Sequence, residues 1–361
     1  MSKSYKKVVI KVGSNVLSNE SGNLDEKVIK KIAEEIVELK KQKVEVILVS
    51  SGAVASGRKI VKLNDKTDPI SARQIFASVG QVKLLNTYFE YFNKNHLVCA
   101  QVLVTKEDFR DRNHYSNMKN CFEALLQNNV LPIVNENDVV SISELMFTDN
   151  DELAGLIATM MHVDALIILS NVDGIFTGNP TLPNSKRIPK IDEKSDDIGG
   201  YISDIKSDFG RGGMHTKSSI ARKVSKTGIT VHIANGKSEN VIKSIFEDIN
   251  FTVGTTFIPS KIQAGTKKKI AFAESFAKGE IFINEGAQLA LTSSKATSLL
   301  PVGVIKIMGD FQKDDIVKVI GADGTIVGIG KVQYGNKKAL ELIGKHNQKP
   351  IIHYDYLYLN L

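Results

Sequence analysis

The chain has 361 residues, of which 42% are hydrophobic and 24% charged, with 47 Lys plus Arg against 40 Asp plus Glu. This balance is typical of a folded globular protein and excludes a disordered, fibrous or disulfide-rich chain, and the length favours about two domains. The net charge of +7 suits nucleic acid and anionic small molecules equally, so it does not choose between them.

The two cysteines, Cys99 and Cys121, lack the CxxC or Cys–His spacing of a metal site. We expect buried free thiols, which suit a reducing compartment. The residues before Val8 lack the apolar core of a signal peptide, and no uninterrupted apolar run reaches membrane-spanning length. The sequence therefore predicts a cytoplasmic protein without a membrane segment.

Short apolar runs alternate with amphipathic stretches from Lys6 to about Asn250. The predicted strands are Val8–Val12, Val44–Val49, Val98–Leu103, Leu131–Val134, Ala165–Leu169 and Thr230–Ala234. The predicted helices are Glu26–Lys41, Ser71–Phe92, Met118–Gln127, Asp151–Met161 and Thr216–Lys226. This alternation predicts an α/β fold, a three-layer α/β/α sandwich with a mainly parallel central sheet. Such sheets bind ligands at the carboxyl ends of their strands.

Two segments interrupt the alternation, and a third region departs from it. Val139–Phe147 predicts a hairpin, and Gly174–Asp208 predicts a long surface excursion. After Phe257 the pattern changes to short strands punctuated by glycine, at Gly279–Ile283, Ile316–Ile320, Thr325–Lys331 and Ile351–Leu359. Helical turns are predicted at Gly286–Ala290 and Lys338–Leu342. We therefore predict a catalytic domain over residues 1–257, a linker over 258–268 and a small β-rich domain over 269–361.

The first two predicted strands end in groups suited to an anion. Lys11 ends a buried strand and precedes Gly13 and Ser14, so backbone N–H groups and an ammonium group can approach a phosphate together. Ser51 and Gly52 end the second strand and open a helix, where N–H groups are free to bind an anion. The alternatives are a solvated lysine and a helix cap of small residues.

A denser polar cluster follows the fourth strand. Asn135-Glu136-Asn137-Asp138 comes before the predicted hairpin, and Asp149-Asn150-Asp151-Glu152 comes after it. A capping box formed by Asp149 and Glu152 accounts for that pair, but not for so many carboxylates and amides. The cluster suits a ligand ammonium group, the orientation of a lysine, or contact with Mg²⁺.

Two further strand ends carry polar residues and glycines. Ser170 and Asn171 end the fifth strand, and Arg211-Gly212-Gly213 leads into a helix that carries Lys217. A glycine-rich turn at a helix N-terminus, flanked by cations, suits a polyphosphate. Together with Lys11 and the polar cluster, this set is what phosphoryl transfer requires.

These motifs resemble those of the glutamate 5-kinases (gamma-glutamyl kinases) of the amino acid kinase superfamily. The resemblance rests on Lys11-Val-Gly-Ser, Ser51-Gly-Ala, Asn135-Glu-Asn-Asp138, Asp149-Asn-Asp151 and Gly212-Gly-Met-x-Thr-Lys217, in that order. In the tail, Gly279-Glu-Ile and Ser298-Leu-Leu-Pro301-Val-Gly303 resemble a PUA domain. The resemblance covers nearly the whole chain.

The resemblance implies ATP-dependent phosphorylation of the glutamate side-chain carboxylate, the first step of proline synthesis, with proline as inhibitor and a dimer or tetramer as assembly. It implies catalysis by Lys11, Lys217 and an Asp151 that holds both ammonium groups. It implies nucleotide binding by Lys11, Ser170, Asn171, Arg211, Gly212, Gly213, Met214, His215, Thr216 and Lys217, with Mg²⁺ bound through the phosphates and no metal ligands in the protein. It implies glutamate binding by Ser51, Gly52, Asn135, Asp138, Asp149 and Asn150.

Two residues depart from the family pattern: Asn171 stands where Asp is common, and Arg211 stands where small residues are frequent. Another amino acid kinase, acting on acetylglutamate, aspartate or carbamate, remains an alternative because the scaffold does not fix the acceptor. The Asn135–Asp138 cluster favours an acceptor with a free ammonium group.

An RNA-binding protein acting through the C-terminal domain is the alternative from another class. From Lys267 to Leu361 there are 13 Lys, no Arg and 9 acidic residues. Arginine is the preferred group for stacking on nucleic acid and for bidentate contacts to it. Its absence favours a structural or regulatory domain.

Overall fold

The computed structural model describes residues 5–141, 147, 149–180, 182–192, 213–248, 250–260, 277–293 and 297–359. The chain divides into two compact units, Met1–Lys261 and Ile262–Leu361. The predicted linker, 258–268, lies outside the described residues from 261 onwards, so its bounds stay a prediction. Every helix in the described ranges is too short or too polar to span a bilayer.

An eight-stranded sheet with the order β3-β4-β2-β1-β5-β9-β10-β8 forms the centre of the first unit. The strands of the unit are β1 Lys7–Val12, β2 Glu45–Ser50, β3 Cys99–Val104, β4 Leu131–Glu136, β5 Ala165–Ser170, β6 Ile175–Phe176, β7 Arg187–Ile188, β8 Lys190–Ile191, β9 Thr230–Asn235 and β10 Thr255–Phe257. All neighbours in this sheet pair in parallel except β9 and β10, which are antiparallel. The six predicted strands are confirmed.

Helices cover both faces of this sheet, as the three-layer prediction requires. They are α1 Ser14–Leu17, α2 Glu26–Lys41, α3 Ala53–Ile60, α4 Pro69–Lys94, α5 Lys106–Arg110, α6 Arg112–Gln127, α7 Asn150–Met160, α8 Met214–Lys226 and α9 Val241–Glu247. On one face α2 contacts β2, and its buried residues Ile29, Ile32 and Ile36 belong to the same hydrophobic cluster as Val8 and Ile10 of β1. On the other face α7 contacts β1 and packs against α8.

Two predictions about the first unit need correction or remain partly outside the described residues. The excursion from Gly174 to Asp208 contains strands: β6 pairs with β7, and β8 joins the edge of the main sheet beside β10. Each of these strands has only two residues, which is too short to show a hydrophobic period. Asp138–Val140 form a turn at the start of the predicted hairpin, whose residues 142–146 lie outside the described part of the chain.

The second unit contains a five-stranded sheet with the order β12-β11-β13-β14-β15. Its elements are β11 Gly279–Ile283, α10 Glu285–Thr292, a 3₁₀ turn Pro301–Gly303, β12 Val304–Gly309, β13 Ile316–Ile320, β14 Ile326–Val332, α11 Asn336–Leu342 and β15 Ile352–Leu359. The predicted strands and both helical turns are present. Strand β12 was not predicted; it is an edge strand with Ile305 and Met308 exposed, so its apolar residues do not mark one buried face.

Close contact between α3 and α4 sets the position of the residues that follow β2. A Cβ on Gly80 of α4 would overlap the carbonyl oxygen of Ala53, and a Cβ on Gly57 of α3 would overlap the carbonyl oxygen of Phe76. The two glycines therefore let the helix backbones approach closely, which holds the start of α3 against α4.

We predict that Gly80→Ala lowers the free energy of unfolding by about 1–3 kcal/mol, as overpacking does. The sign is diagnostic, because the same change inside an ordinary helix stabilises it by about 1 kcal/mol. Ser78→Ala, at an exposed position of the same helix, is the matched control. Urea unfolding of both variants measures the effect, and a stabilised Gly80→Ala would contradict the close contact.

Candidate active site

A cleft of about 470 Å³ lies at the carboxyl ends of the central strands of the first unit. Its walls come from the segments after β1, β2, β4 and β5 and from the first turns of α3, α7 and α8. The lining residues are Lys11, Gly13, Ser14, Asn15, Val16, Ser51, Gly52, Ala53, Val54, Ala55, Arg58, Arg73, Asn135, Glu136, Asp138, Asp149, Asn150, Leu169, Ser170, Asn171 and Lys217. Parallel order of β2, β1 and β5 is what brings these strand ends to one edge.

Asp151 holds two lysines at the floor of this cleft. Its Oδ1 lies 2.6 Å from Nζ of Lys11, at the end of β1, and its Oδ2 lies 2.6 Å from Nζ of Lys217, in the first turn of α8. The Asp151 side chain has no solvent exposure, and that of Lys11 has 4%. Two ammonium groups on one carboxylate give the trio a net charge of +1.

Burial and charge act in opposite directions on the pKa values of this trio. Burial alone would raise the pKa of Asp151, but Lys11 and Lys217 outweigh it and hold that pKa below its usual range. Burial lowers the pKa of Lys11, and Asp151 offsets part of that effect. For Lys217 burial also lowers the pKa, but Asp151 and Asp149 reverse the direction and raise it. The carboxylate therefore keeps the charge of both lysines in a buried place.

Asp149 sits at the N-terminus of α7 and accepts hydrogen bonds from the backbone N–H groups of Asp151 and Glu152. Its second oxygen, Oδ2, is buried without a hydrogen-bond partner among the described residues. Burial and the neighbouring Asp151 raise the pKa of Asp149 to about 6. Glu152 lies 3.2 Å from Nζ of Lys106, so only the Asp149 half of the predicted capping box is seen.

Hydrogen-bonded amide and hydroxyl side chains join four elements along one wall of the cleft. Asn150 Nδ2 donates to Oδ1 of Asn135 at 2.9 Å and to Oγ of Ser51 at 3.0 Å. Asn135 Nδ2 in turn donates to Oε1 of Gln81 on α4, at 2.8 Å. These bonds fix the ends of β2 and β4 and the start of α7 relative to one another, and the groups of Ser51, Asn135 and Asn150 line the cleft.

Arg73 is a residue of this wall that motif analysis did not select. Its Nη2 donates to Oδ1 of Asp138 and lies 3.8 Å from Oε2 of Glu136. Burial raises the pKa of Asp138, and Arg73 opposes that rise. The signal in the sequence is positional: Arg73 precedes Ala77, Gly80 and Leu84 at helical spacing, which puts a cation on the buried stripe of α4.

Glu136 belongs to the predicted polar cluster but not to the residues predicted to bind glutamate. It is 4% exposed, and its Oε1 accepts a hydrogen bond from the backbone N–H of Phe147 at 3.0 Å. Burial, with Asp138 nearby, raises its pKa to about 7. The bond joins the end of β4 to Phe147, three residues before the start of α7, so Glu136 links the two ends of the segment between β4 and Phe147.

The predicted nucleotide residues lie across β1 from this wall. Ser170 and Asn171 end β5 and line the cleft with Lys217. Helix α8 begins at Met214, so Met214, His215 and Thr216 form its first turn and lie outside the cleft lining. Gly213 caps the helix without a side-chain hydrogen bond, while Arg211 and Gly212 lie outside the described residues.

Comparison with known proteins decides the family. The profile of the amino acid kinase family matches residues 6–235, and that of the PUA domain matches residues 279–354. A glutamate 5-kinase of Bacteroides thetaiotaomicron is 52% identical over 360 residues, covering 99% of this chain and 100% of the relative. The chain belongs to the glutamate 5-kinases of the amino acid kinase family. A glutamate 5-kinase of Chlorobaculum tepidum is 49% identical over 98% of both chains.

Solved structures of two other kinases share the fold of the first unit. An isopentenyl phosphate kinase of T. acidophilum superposes with a TM-score of 0.50 at 16% identity, over 69% of this chain and 99% of that one. A carbamate kinase of Giardia lamblia superposes with a TM-score of 0.50 at 21% identity, over 71% and 99%. The fold and the family predicted from the sequence are thus confirmed, while the roles of individual residues stay predictions.

We predict that Glu136→Gln changes the pH dependence of stability, because it removes a titrating carboxyl group. Glutamine is chosen because it keeps an acceptor for the N–H of Phe147. With a folded-state pKa of about 7, Glu136 binds a proton more readily in the folded chain than in the unfolded one. The wild type therefore loses stability from this group as the pH rises from about 4 to about 7, and the variant does not. In urea unfolding, the free energy of unfolding of the variant relative to that of the wild type should increase between pH 5 and pH 8. An equal difference at both pH values would contradict the raised pKa.

Proposed function

We propose that this protein transfers the γ-phosphoryl group of ATP to the side-chain carboxylate of L-glutamate, forming L-glutamyl 5-phosphate in the first step of proline synthesis. The observation that carries this proposal is the pair of lysines held by Asp151, each at 2.6 Å, in the same cleft as Asn135 and Asp138. The lysines suit transferring phosphate, and the acidic and amide cluster suits an amino acid.

The reaction needs alignment and charge neutralisation more than acid–base catalysis. The glutamate carboxylate is ionised at neutral pH, with an ordinary pKa of about 4.3, and is itself the nucleophile. One of its oxygens bonds to the γ-phosphorus while the bond from that phosphorus to the bridging oxygen breaks and leaves its electron pair on ADP. No proton has to move, so no general base is required.

Lys11 and Lys217 would neutralise the charge that develops on the transferring phosphoryl group. The net charge of +1 on the trio with Asp151 is available to that group, because the single carboxylate balances only one of the two ammonium groups. Asp151 is a positioning residue in this scheme: both of its oxygens are engaged by lysines.

Glutamate would lie along the wall formed by β2, β4 and α7. Asp138 would accept from its ammonium group, while the linked amides of Asn135 and Asn150 would hold its polar atoms. The other proposed acceptor-binding residues are Ser51, Gly52 and Asp149, all of which line the cleft. A wall that accepts a free ammonium group disfavours an N-acetylated acceptor.

ATP would bind across β1, with its phosphates toward Lys11 and Lys217. Ser170 and Asn171 at the end of β5, Gly213, Met214, His215 and Thr216 at the start of α8, and the preceding Arg211 and Gly212 complete the proposed nucleotide set. Asn171 supplies an amide where the family commonly has a carboxylate, so the proposed nucleotide site carries one negative charge fewer than in those relatives. Arg211 would add a positive charge.

Mg²⁺ would reach this site bound to the phosphates of ATP and would neutralise part of their charge. Among the described residues no three His, Cys, Asp or Glu side chains are arranged to hold a metal ion. Both oxygens of Asp151 already contact lysines. This donor set fits an ion carried by phosphates and water, the usual arrangement for Mg²⁺ at nucleotides.

Lys217→Ala should lower kcat by about 100- to 1000-fold, the cost of removing one donor that stabilises transition-state charge. Lys226→Ala, in the last turn of the same helix and away from the cleft, is the matched control. Steady-state kinetics with glutamate and Mg·ATP measures both variants. A Lys217→Ala variant with near wild-type kcat would refute this role.

The proposal itself is tested by trapping the acyl phosphate with hydroxylamine in the presence of Mg·ATP. Glutamate should support hydroxamate formation, while acetylglutamate, aspartate and carbamate should support far less turnover. Proline, which we propose as the feedback inhibitor, should lower the rate with glutamate. If glutamate supports no turnover, the proposed function is wrong.

We extend the proposal to assembly and setting. Large apolar side chains are exposed on α4 and beside the edge strand β3, with Val82 60%, Phe89 49% and Val98 63% exposed, which supports a dimer or tetramer. Cys99 is half-buried and Cys121 is exposed, so the prediction that both thiols are buried is wrong. Both are free, and free thiols together with the use of ATP support a cytoplasmic setting.

We propose a structural or regulatory role for the C-terminal unit in preference to RNA binding. Filter binding to RNA at two salt concentrations separates the two, since phosphate contacts made by its lysines would weaken with salt. Salt-sensitive affinity for RNA would overturn this role.

A further inference from the structure

The α-carboxylate of the acceptor still lacks a cationic partner in the proposed arrangement, although N–H groups at Ser51 and Gly52 line the same cleft. Glutamate carries two carboxylates and one ammonium group. The side-chain carboxylate belongs beside Lys11 and Lys217, where the phosphoryl group arrives, and Asp138 is suited to the ammonium group. A second carboxylate entering a cleft this rich in acidic groups requires a cation of its own.

Four cationic side chains among the described residues line the cleft, and three of them are already paired. Lys11 and Lys217 are held by Asp151, and Arg73 is bonded to Asp138 and lies 3.8 Å from Glu136. Arg58 is the fourth: it forms no ion pair with any residue that the structure describes, and it is exposed. Arg58 is therefore the cation with charge to offer a ligand.

The position of Arg58 in α3 directs its side chain into the cleft. Helix α3 begins at the cleft, where Ala53, Val54 and Ala55 form part of the lining. Arg58 lies five residues after Ala53, about 7.5 Å along the helix axis at 1.5 Å per residue. Helical side chains lean toward the N-terminus, so a long arginine side chain there leans back toward the ligand.

Contacts with α4 place Arg58 near the wall that we propose binds the acceptor amino acid. The guanidinium carbon lies 5.6 Å from the ring centroid of Phe76, within range of a cation–π contact. Phe76 comes one turn after Arg73, which holds Asp138. Gly57, next to Arg58, is the residue whose lack of a side chain lets the two helices touch. The backbone that carries Arg58 is thus fixed relative to Asp138.

Strand order separates Arg58 from the proposed nucleotide side. Helix α3 follows β2, whereas Ser170 and Asn171 follow β5, and β1 lies between these two strands. An anion bound by Arg58 is therefore one carried by the acceptor and not a phosphate of ATP.

We propose that Arg58 binds the α-carboxylate of the acceptor amino acid and determines specificity for acceptors that have this group. The inference rests on the proposed function, since it names a subsite for the same substrate. A planar guanidinium can take both oxygens of a carboxylate at once. Each charged group of glutamate then meets an opposite charge, in an arrangement that an acceptor lacking the α-carboxylate cannot complete.

The test compares glutamate with 4-aminobutyrate, which is glutamate without its α-carboxylate. Arg58→Gln should lower kcat/KM for glutamate by about 10- to 100-fold, the range expected for a charge-assisted hydrogen-bonded pair. It should leave kcat/KM for 4-aminobutyrate within about threefold of the wild type, so that the preference for glutamate collapses. Arg58→Lys keeps the positive charge but loses the planar guanidinium that can bind both carboxylate oxygens. Its kcat/KM for glutamate should therefore lie between those of the wild type and Arg58→Gln.

Lys59→Gln is the matched control, since Lys59 is exposed on the same helix and does not line the cleft. Circular dichroism and thermal unfolding establish that each variant is folded. Where turnover of 4-aminobutyrate is too slow to measure, its Ki against glutamate replaces kcat/KM.

Three outcomes would overturn the inference. Arg58→Gln could impair glutamate and 4-aminobutyrate equally, which would make Arg58 a structural residue of α3. It could change only the KM for ATP, which would place Arg58 on a phosphate. Arg73→Gln could abolish the preference for glutamate while Arg58→Gln does not, which would assign the subsite to Arg73. If the wild type phosphorylates no glutamate at all, the proposed function fails first, and the inference falls with it.

Discussion

The carboxylate of Asp151 lies without solvent exposure between two ammonium groups, and the architecture of the cleft depends on this arrangement. Lys11 comes from β1, Lys217 from α8 and Asp151 from α7, so one ionic contact joins three elements that are distant in the chain. Buried charges are tolerated only when they are paired, and removing one partner from such a group costs about 3–5 kcal/mol. The trio therefore contributes both to the folded arrangement and to the net positive charge that a phosphoryl group would meet.

On the wall proposed to bind glutamate, formed by β2, β4 and α7, the negative charge of the carboxyl groups is reduced. Asp138 is held by Arg73, while Asp149 and Glu136 have pKa values raised to about 6 and about 7 by burial and by neighbouring carboxylates. At neutral pH this wall carries less negative charge than its composition suggests. The wall therefore repels the anionic amino acid substrate and the anionic nucleotide less strongly. Its oxygen atoms can still accept hydrogen bonds from an ammonium group.

Local sequence patterns are enough to identify most of the elements and several of the proposed site residues. Strands β1 and β5 are buried on both faces, so they form continuous apolar runs, and Lys11 stands out because it ends one of them. Asp149 is recognisable as a helix cap from its own sequence neighbourhood. Strands β6, β7 and β8 escape prediction because two residues cannot show a period, and β12 because an edge strand exposes some of its apolar residues.

The sequence by itself determined the family, the α/β class of the larger unit, the β-rich character of the smaller one, and most of the polar groups at the strand ends, because these follow from local periodicity and short motifs. Only the tertiary structure decided which charges neutralise one another. Nothing local links Arg73 to Asp138, and nothing local leaves Arg58 without a carboxylate partner among the described residues. Those relations depend on the parallel strand order and on the close approach of α3 and α4, which bring together residues that lie far apart in the chain.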